Sequence, residues 1–399
     1  MHHVFRLVLS LFAGLCFSAQ AKDGRISLST QDFPGILTNS GSYVLSESVV
    51  LTQAYVFAAL SVQADFVTID LNGHAITKKG GTGEYALFQG SDRHALHVRN
   101  GSLSGFDMGV RAGTAARIEN VRVSDVNSII VAGPGAHVRD VQGLGMSLEH
   151  AEPLLSAGAG SFLDGVLMAE GSGATSSGPP FWTLVGEASL VHRLIIQDLV
   201  SSQTTSATVL SAGMGSVLRR VQLGSLQSEK NLTGLSSSRG IVSHSSVDGL
   251  ASVSGDATGI RYGHGLVREM QIRLVQDTNG AANASLEHAM WVDSQSTGFP
   301  FLPASHILET TRMARNTLNY GSLNVQGGGS ALRDNQLNNS TNHVVFMSGV
   351  GKNLAIRNSA SGNPLPMFSG GLPNGWAQVE AFPDVFFVFT NNPWANLQH

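Results

Sequence analysis

GTAARIENVRV, residues 113–123, and GPGAHVRDV, residues 133–141, carry the same pattern twice. Each opens on glycine and small residues, reaches an apolar position, passes an Asn or Asp, and closes on apolar residues in alternation. The pattern returns at residues 158–167 (GAGSFLDGVL), 186–196 (GEASLVHRLII), 213–223 (GMGSVLRRVQL) and 327–337 (GGGSALRDNQL). Taking the apolar residue after the turn as a marker gives Ile118, Val138, Leu163, Val191, Leu218, Val247, Val267, Ile307, Leu332 and Leu354, spaced 20 to 40 residues apart. Self-similarity on this scale is the mark of a solenoid. The units are rich in Val, Ile and Gly and alternate with a period of two, so their elements are strands.

A unit of short strands has no partner for its apolar face until the next unit stacks on it, about 4.8 Å away. Ile118, Val121 and Val123 then point into a common interior. Asn100, Asn120, Asp140, Asp334 and Asn358 sit where the chain turns, and their side chains suit left-handed backbone angles. Glycines at the other corners are expected to supply the remaining positive-φ positions. Parallel crossovers are almost always right-handed. The reading is all-β: a right-handed parallel β-helix of about 10 to 13 coils. Its expected organisation is a signal peptide at 1–21, an N-terminal cap and first coil at 22–63, the helix at 64–375 and a C-terminal cap at 376–399. Within the first part, residues 41–60 are expected to close the N-terminal end. The aromatic run 376–389 (WAQVEAFPDVFFVF) is expected to cover the other.

The signal rests on His2, His3 and Arg6, the apolar run 7–17 and Ala19-Gln20-Ala21. The expected location is therefore outside the cytoplasm, in the periplasm or beyond. Cys16 is the only cysteine and leaves with that segment, which excludes disulfides, a zinc–thiolate site and cysteine catalysis. Charged residues make up 13% of the chain, with 24 Lys and Arg against 28 Asp and Glu. That balance lacks the basic footprint of a nucleic-acid binder, and no apolar run reaches the roughly 20 residues that span a bilayer.

Residues 64–77 (ADFVTIDLNGHAIT) and 96–106 (LHVRNGSLSGF) resemble the early coils of bacterial secreted β-helix proteins of the pectin-lyase-like superfamily. The likeness is close over about residues 40–145, and beyond it only the rhythm persists. It implies the fold; proteins sharing it include lyases, hydrolases, epimerases and adhesins, so activity does not follow.

Chemistry is looked for in the long interval between Val267 and Ile307, where residues 277–286 are expected to leave the stack as a lateral loop. Beside it, Trp291 and Asp293 are candidate substrate-binding residues, with Phe299 and Phe301 as further surfaces for sugar rings. Just before it stands GIRYGHG, residues 259–265. Arg261, Tyr262 and His264 are the candidate catalytic residues, and strand alternation would set Tyr262 and His264 on one face. Gly263-His264-Gly265 resembles the active-site tripeptide of polygalacturonases. The carboxylate motifs that accompany it there are missing here, and hydrolysis with inversion needs two carboxylates. The plain alternative makes the two glycines a turn, with His264 exposed on it. Arg193, Arg219, Arg220, Arg239, Arg261 and Arg268 fall on consecutive coils and would suit an acidic polysaccharide if they lined up.

Glu149, His150 and Glu152 precede Pro153 outside any helix, so they share no face for a metal. The expected partner is a polysaccharide or cell-surface glycan. The expected function is non-catalytic carbohydrate binding or a structural role, with no cofactor. The alternative is a polysaccharide lyase, or less readily a glycoside hydrolase, acting on an acidic glycan by proton abstraction. Calcium then becomes a possible cofactor.

Overall fold

The computed structural model describes residues 24–148, 152–173, 181–202 and 206–276. Further on it describes 282–287, 289–292, 294–297, 304–309, 311–319, 321–326, 330–338, 345–348, 354–356, 358–361, 368–369, 379–381 and 396–398. The signal segment, Asp293, Phe299 and Phe301 lie outside these residues. Among the described residues no helix is long and apolar enough to cross a membrane.

The chain is a parallel β-helix. On its first face, A, one inward position is shared from coil to coil. Tyr43 pairs with Ile69, Ile69 with Val98, Val98 with Ile118, Val138 with Leu163, and Leu163 with Val191. The column continues through Leu218, Val242, Val267, Trp291, Met313 and Leu332. A second face, B, follows a corner; its inward column includes Val123, Met168, Ile196, Leu223, Val247 and Ile272. The third, C, carries Leu60, Leu87, Val110, Ile130 and Leu155 inward. These side chains are almost wholly buried and form one core along the axis.

The register corrects the spacing read from the sequence. Val247 belongs to face B, opposite Leu223, and the face A position is Val242. Ile307 belongs to face C, opposite Ser285, and the true successor of Val267 is Trp291, 24 residues on. The long interval is therefore one coil of ordinary length and part of the next. Its expected lateral loop shrinks as well, since Ala282–Glu287 is a strand of face C; residues 277–281 lie outside the described residues. Three apolar columns repeat per turn, and nothing local tells a face A valine from a face B valine.

The corner between faces A and B is left-handed. Asn100, Asn120, Asp140 and Asp334 hold φ between 50° and 59° there, as expected. Arg193, Arg220, His244, Glu269 and Arg315 also hold positive φ, although such side chains disfavour it. Asn358 is different: it lies inside. Asn316, Asn335 and Asn358 form a buried ladder in which each amide oxygen accepts from the backbone N–H of the coil before it, at 2.9 to 3.1 Å. Each Nδ2 donates to a backbone carbonyl, those of Trp291, Met313 and Leu332. Ser161, Ser189 and Ser216 serve the same end at another corner, accepting amides of the preceding coil. Buried turns thus keep their backbone groups paired.

The corner glycines have two separate reasons. Gly135, Gly160 and Gly215 have positive φ, as expected. Gly213, which opens its unit, is needed for close approach: a Cβ there would lie 2.6 Å from the amide nitrogen of Glu187.

The N-terminal end also departs from expectation. Gly41–Leu45 lies between Ile26–Leu28 and Val67–Asp70, inside the stack. Among the described residues pairing begins at Ile26, so Gly41–Leu45 is an interior rung and does not close the end. Of the aromatic run expected to cover the other end, only 379–381 is described, paired with Asn396–Gln398.

Candidate functional site

The residues singled out from the sequence do not gather. Tyr262 is buried in the core at 2% exposure, whereas Arg261 and His264 face outward. Alternation fails because Ala257–Arg268 is one continuous strand that bends where both glycines press on the coil below. A Cβ on Gly263 would lie 2.4 Å from the Ser238 carbonyl oxygen, and one on Gly265 2.1 Å from that of Gly240. The tripeptide is thus not a turn, and its glycines serve packing. The Tyr262 phenol sits over Gly265, and burial pushes its pKa up to about 12, so it is no base at neutral pH. Trp291 is fully buried in the face A column, so it offers no surface to a sugar.

Nor do the arginines form one stripe. Arg219 and Arg268 share a face A column with Ser243 between them. Arg193 and Arg220 stand at the left-handed corner. Arg239 pairs with His264, and Arg261 faces out from face C beside Ser236. Arg193 is committed to Asp164, with Nε to Oδ1 and Nη2 to Oδ2 both 2.7 Å. Asp164 belongs to an outward column of face A in which charge alternates: Asp70, Arg99, Glu119, Arg139, Asp164, His192, Arg219. Arg99 Nη2 lies 3.0 Å from Asp70 Oδ2, and His192 Nδ1 lies 2.9 Å from Asp164 Oδ1. Opposite charges directly across parallel strands stabilise the register. Among the described residues no three His, Cys, Asp or Glu side chains are placed to hold a metal ion.

Chemistry-bearing groups do converge on the outside of face C, early in the chain. Tyr55–Val62, Thr82–Gln89, Met108–Ala112 and Ser128–Ala132 are neighbours there. In the first two strands, adjacent residues Ala59 and Leu60, then Ala86 and Leu87, are all fully buried. Two successive inward side chains mark a bend in the strand. The bend gathers Ala58, Tyr85 and Met108 into an outer cluster separate from the core, with Phe88 and Val131 packed on it. Phe57 meets Tyr85 and Phe88 edge-on, with ring centroids 5.3 and 5.1 Å away, and Tyr85 and Phe88 are 4.9 Å apart. Phe57 remains 44% exposed.

A pocket of about 300 Å³ adjoins these rings, lined by Glu84, Tyr85, Asp107, Met108, Asn127, Ser128 and Glu152. Arg111 Nη1 donates to Tyr85 Oη at 3.2 Å, and the guanidinium carbon stands 5.9 Å from the tyrosine ring centre. The same Nη1 lies 3.9 Å from Glu152 Oε1. Asn127 Nδ2 donates to Asp107 Oδ1 at 3.1 Å. Ser128 Oγ donates to the Pro153 carbonyl at 2.7 Å, which ties the segment bearing Glu152 to the wall. Burial, then the Glu84 side chain, raises the Tyr85 pKa against the opposing pull of Arg111, so the phenol keeps its proton.

Sequence reasoning passed over this site. Phe57, Tyr85 and Phe88 are unremarkable in the linear chain, and the repeat marker starts only at Ile118. The available signal was the aromatic pair in GEYALF, residues 83–88, one coil after YVFAAL, residues 55–60. Glu152 had been weighed only as part of a metal motif whose other members lie outside the described residues.

No protein-family model and no curated protein matches this chain. Among solved structures it is similar to the catalytic unit of a thermostable GH87 α-1,3-glucanase from Streptomyces thermodiastaticus, at 8% identity and a TM-score of 0.27. That match covers 92% of this chain, which spans 62% of the glucanase unit. The A-module of the Azotobacter vinelandii mannuronan C-5 epimerase AlgE4 is similar at 12% identity and TM-score 0.25, over 83% of this chain and 91% of that one. PfbA, a surface adhesin of Streptococcus pneumoniae, is similar at 7% and 0.24, over 85% and 84%. None is similar enough for its activity to be carried to this chain.

Proposed function

We propose that this protein is an exported β-helix that binds a glycan on face C, at Phe57, Tyr85, Phe88 and the adjoining pocket, without chemistry of its own. The carrying observation is the half-exposed Phe57 packed edge-on against two further rings beside a polar pocket. A sugar has apolar ring faces and a rim of hydroxyls. Aromatic rings take the first, and carboxylate, amide and hydroxyl groups take the second. Isothermal titration calorimetry against a glycan panel tests the assignment. Phe57→Ala should weaken binding by about tenfold, the scale of one aromatic contact, in a variant that stays folded at the assay temperature. Unaltered affinity would remove the site from consideration.

One observation favours the enzymatic alternative: Tyr85 Oη and the Arg111 guanidinium lie within 3.2 Å, a pairing of the kind that uronate lyases need for proton abstraction and charge neutralisation. Against it, the raised Tyr85 pKa makes the phenol an acid at neutral pH. Following the absorbance of unsaturated uronides, with and without added calcium, decides between the readings; turnover abolished by Tyr85→Phe would establish the enzyme. Export is part of the proposal, and N-terminal sequencing of secreted protein should begin at Lys22.

A further inference from the structure

We propose that the glycan taken on face C carries free amino groups, an amino-sugar polymer, rather than uronates. The proposal rests on the reading of this face as a glycan site and concerns which charge the ligand bears.

The pocket presents three carboxylates, Glu84, Asp107 and Glu152, against the single nearby guanidinium of Arg111. That guanidinium is already used: it donates to Tyr85 Oη and faces Glu152. A uronate entering here meets three carboxylates and no basic residue among those that line the pocket, which opposes binding. An ammonium finds the reverse. Carboxylates supply charge-assisted hydrogen bonds, and the exposed ring of Phe57, with Phe88 beside it, offers a face to a cation.

The placement suits a polymer. Glu84 and Asp107 immediately precede Tyr85 and Met108, which are register partners, and Asn127 precedes Ser128 in the next coil. Ser128 in turn holds the Pro153 carbonyl, so Glu152 belongs to the coil after that. These groups therefore rise along the axis at about 4.8 Å per coil. The Asn127 amide orients the Asp107 carboxylate. A linear chain laid along the axis meets an acceptor at successive steps, and its ring faces lie toward the aromatic patch.

The test uses the full chain and three size-matched oligosaccharides: an oligomer of N-acetylglucosamine, its fully deacetylated form, and an oligouronate. Binding is measured by calorimetry at low and at added salt. The free-amine oligomer should bind at least about tenfold tighter than the oligouronate at low salt, and the margin should shrink as salt screens it. Glu84→Gln combined with Glu152→Gln should bring the ratio of free-amine to oligouronate affinity toward one. If the oligouronate binds as tightly or tighter, and Phe57→Ala weakens it, the charge assignment is overturned and the glycan site stands. If none of the three binds, or Phe57→Ala changes nothing, the site falls and the inference with it. Circular dichroism of each variant separates loss of binding from loss of fold.

Discussion

Tyr262 and His264 are two residues apart and have opposite surroundings. The tyrosine fills the core and the histidine faces water. Tyr262→Ala should cost about 3–5 kcal/mol, the usual range for deleting a buried aromatic ring, whereas His264→Ala should stay within about 0.5 kcal/mol. Urea unfolding of the two variants measures the contrast. Gly265→Ala should resemble the first, because its φ of +132° and the Gly240 carbonyl both exclude a side chain. The glycines were legible in the sequence; the continuous strand through them and the direction of Tyr262 were not. Alternation holds only along a straight strand, and this one bends where the glycines let two coils approach.

Two ladders act between coils, one dry and one wet. Inside, Asn335 links the Asn316 and Asn358 coils through five hydrogen bonds of its side chain and amide. Asn335→Leu leaves the Asn316 amide without its acceptor and should cost about 1–3 kcal/mol, the penalty of an unsatisfied buried polar group. Outside, the hydrogen bond from Arg193, with that from His192, holds the Asp164 carboxyl below its ordinary value. A lowered folded-state pKa means the unfolded chain takes up the proton first. The contribution is therefore complete above the unfolded value of about 3.9 and is lost as pH falls through the lower, folded value. Asp164→Asn should destabilise at neutral pH and make little difference near pH 2, by urea midpoints at each pH. The corner residues show how much of this could be read in advance. Asn100, Asn120 and Asp140 announce a left-handed turn by their chemistry, while Arg193, Arg220 and His244 do not. The latter hold that angle because the rungs above and below impose it.

At the scale of the molecule, each coil is stabilised by its neighbours and little else. Among the described residues Ile26–Leu28 has a partner on one side only, Gly41–Leu45, while Arg117–Ser124 is paired on both. Amide hydrogen exchange should accordingly be fastest at residues 26–37 and slowest through the central coils. Equal protection throughout would mean that the stack opens as one unit. The parallel β-helix itself was determined by the sequence alone, because a recurring short apolar strand has only one way to bury its face, against its own next copy. Which recurring residue belongs to which face was decided only by tertiary structure, since three similar apolar columns repeat in every turn and differ in nothing local. The site on face C depends on that phase: Phe57, Tyr85 and Phe88 become one patch only when successive coils bring them side by side.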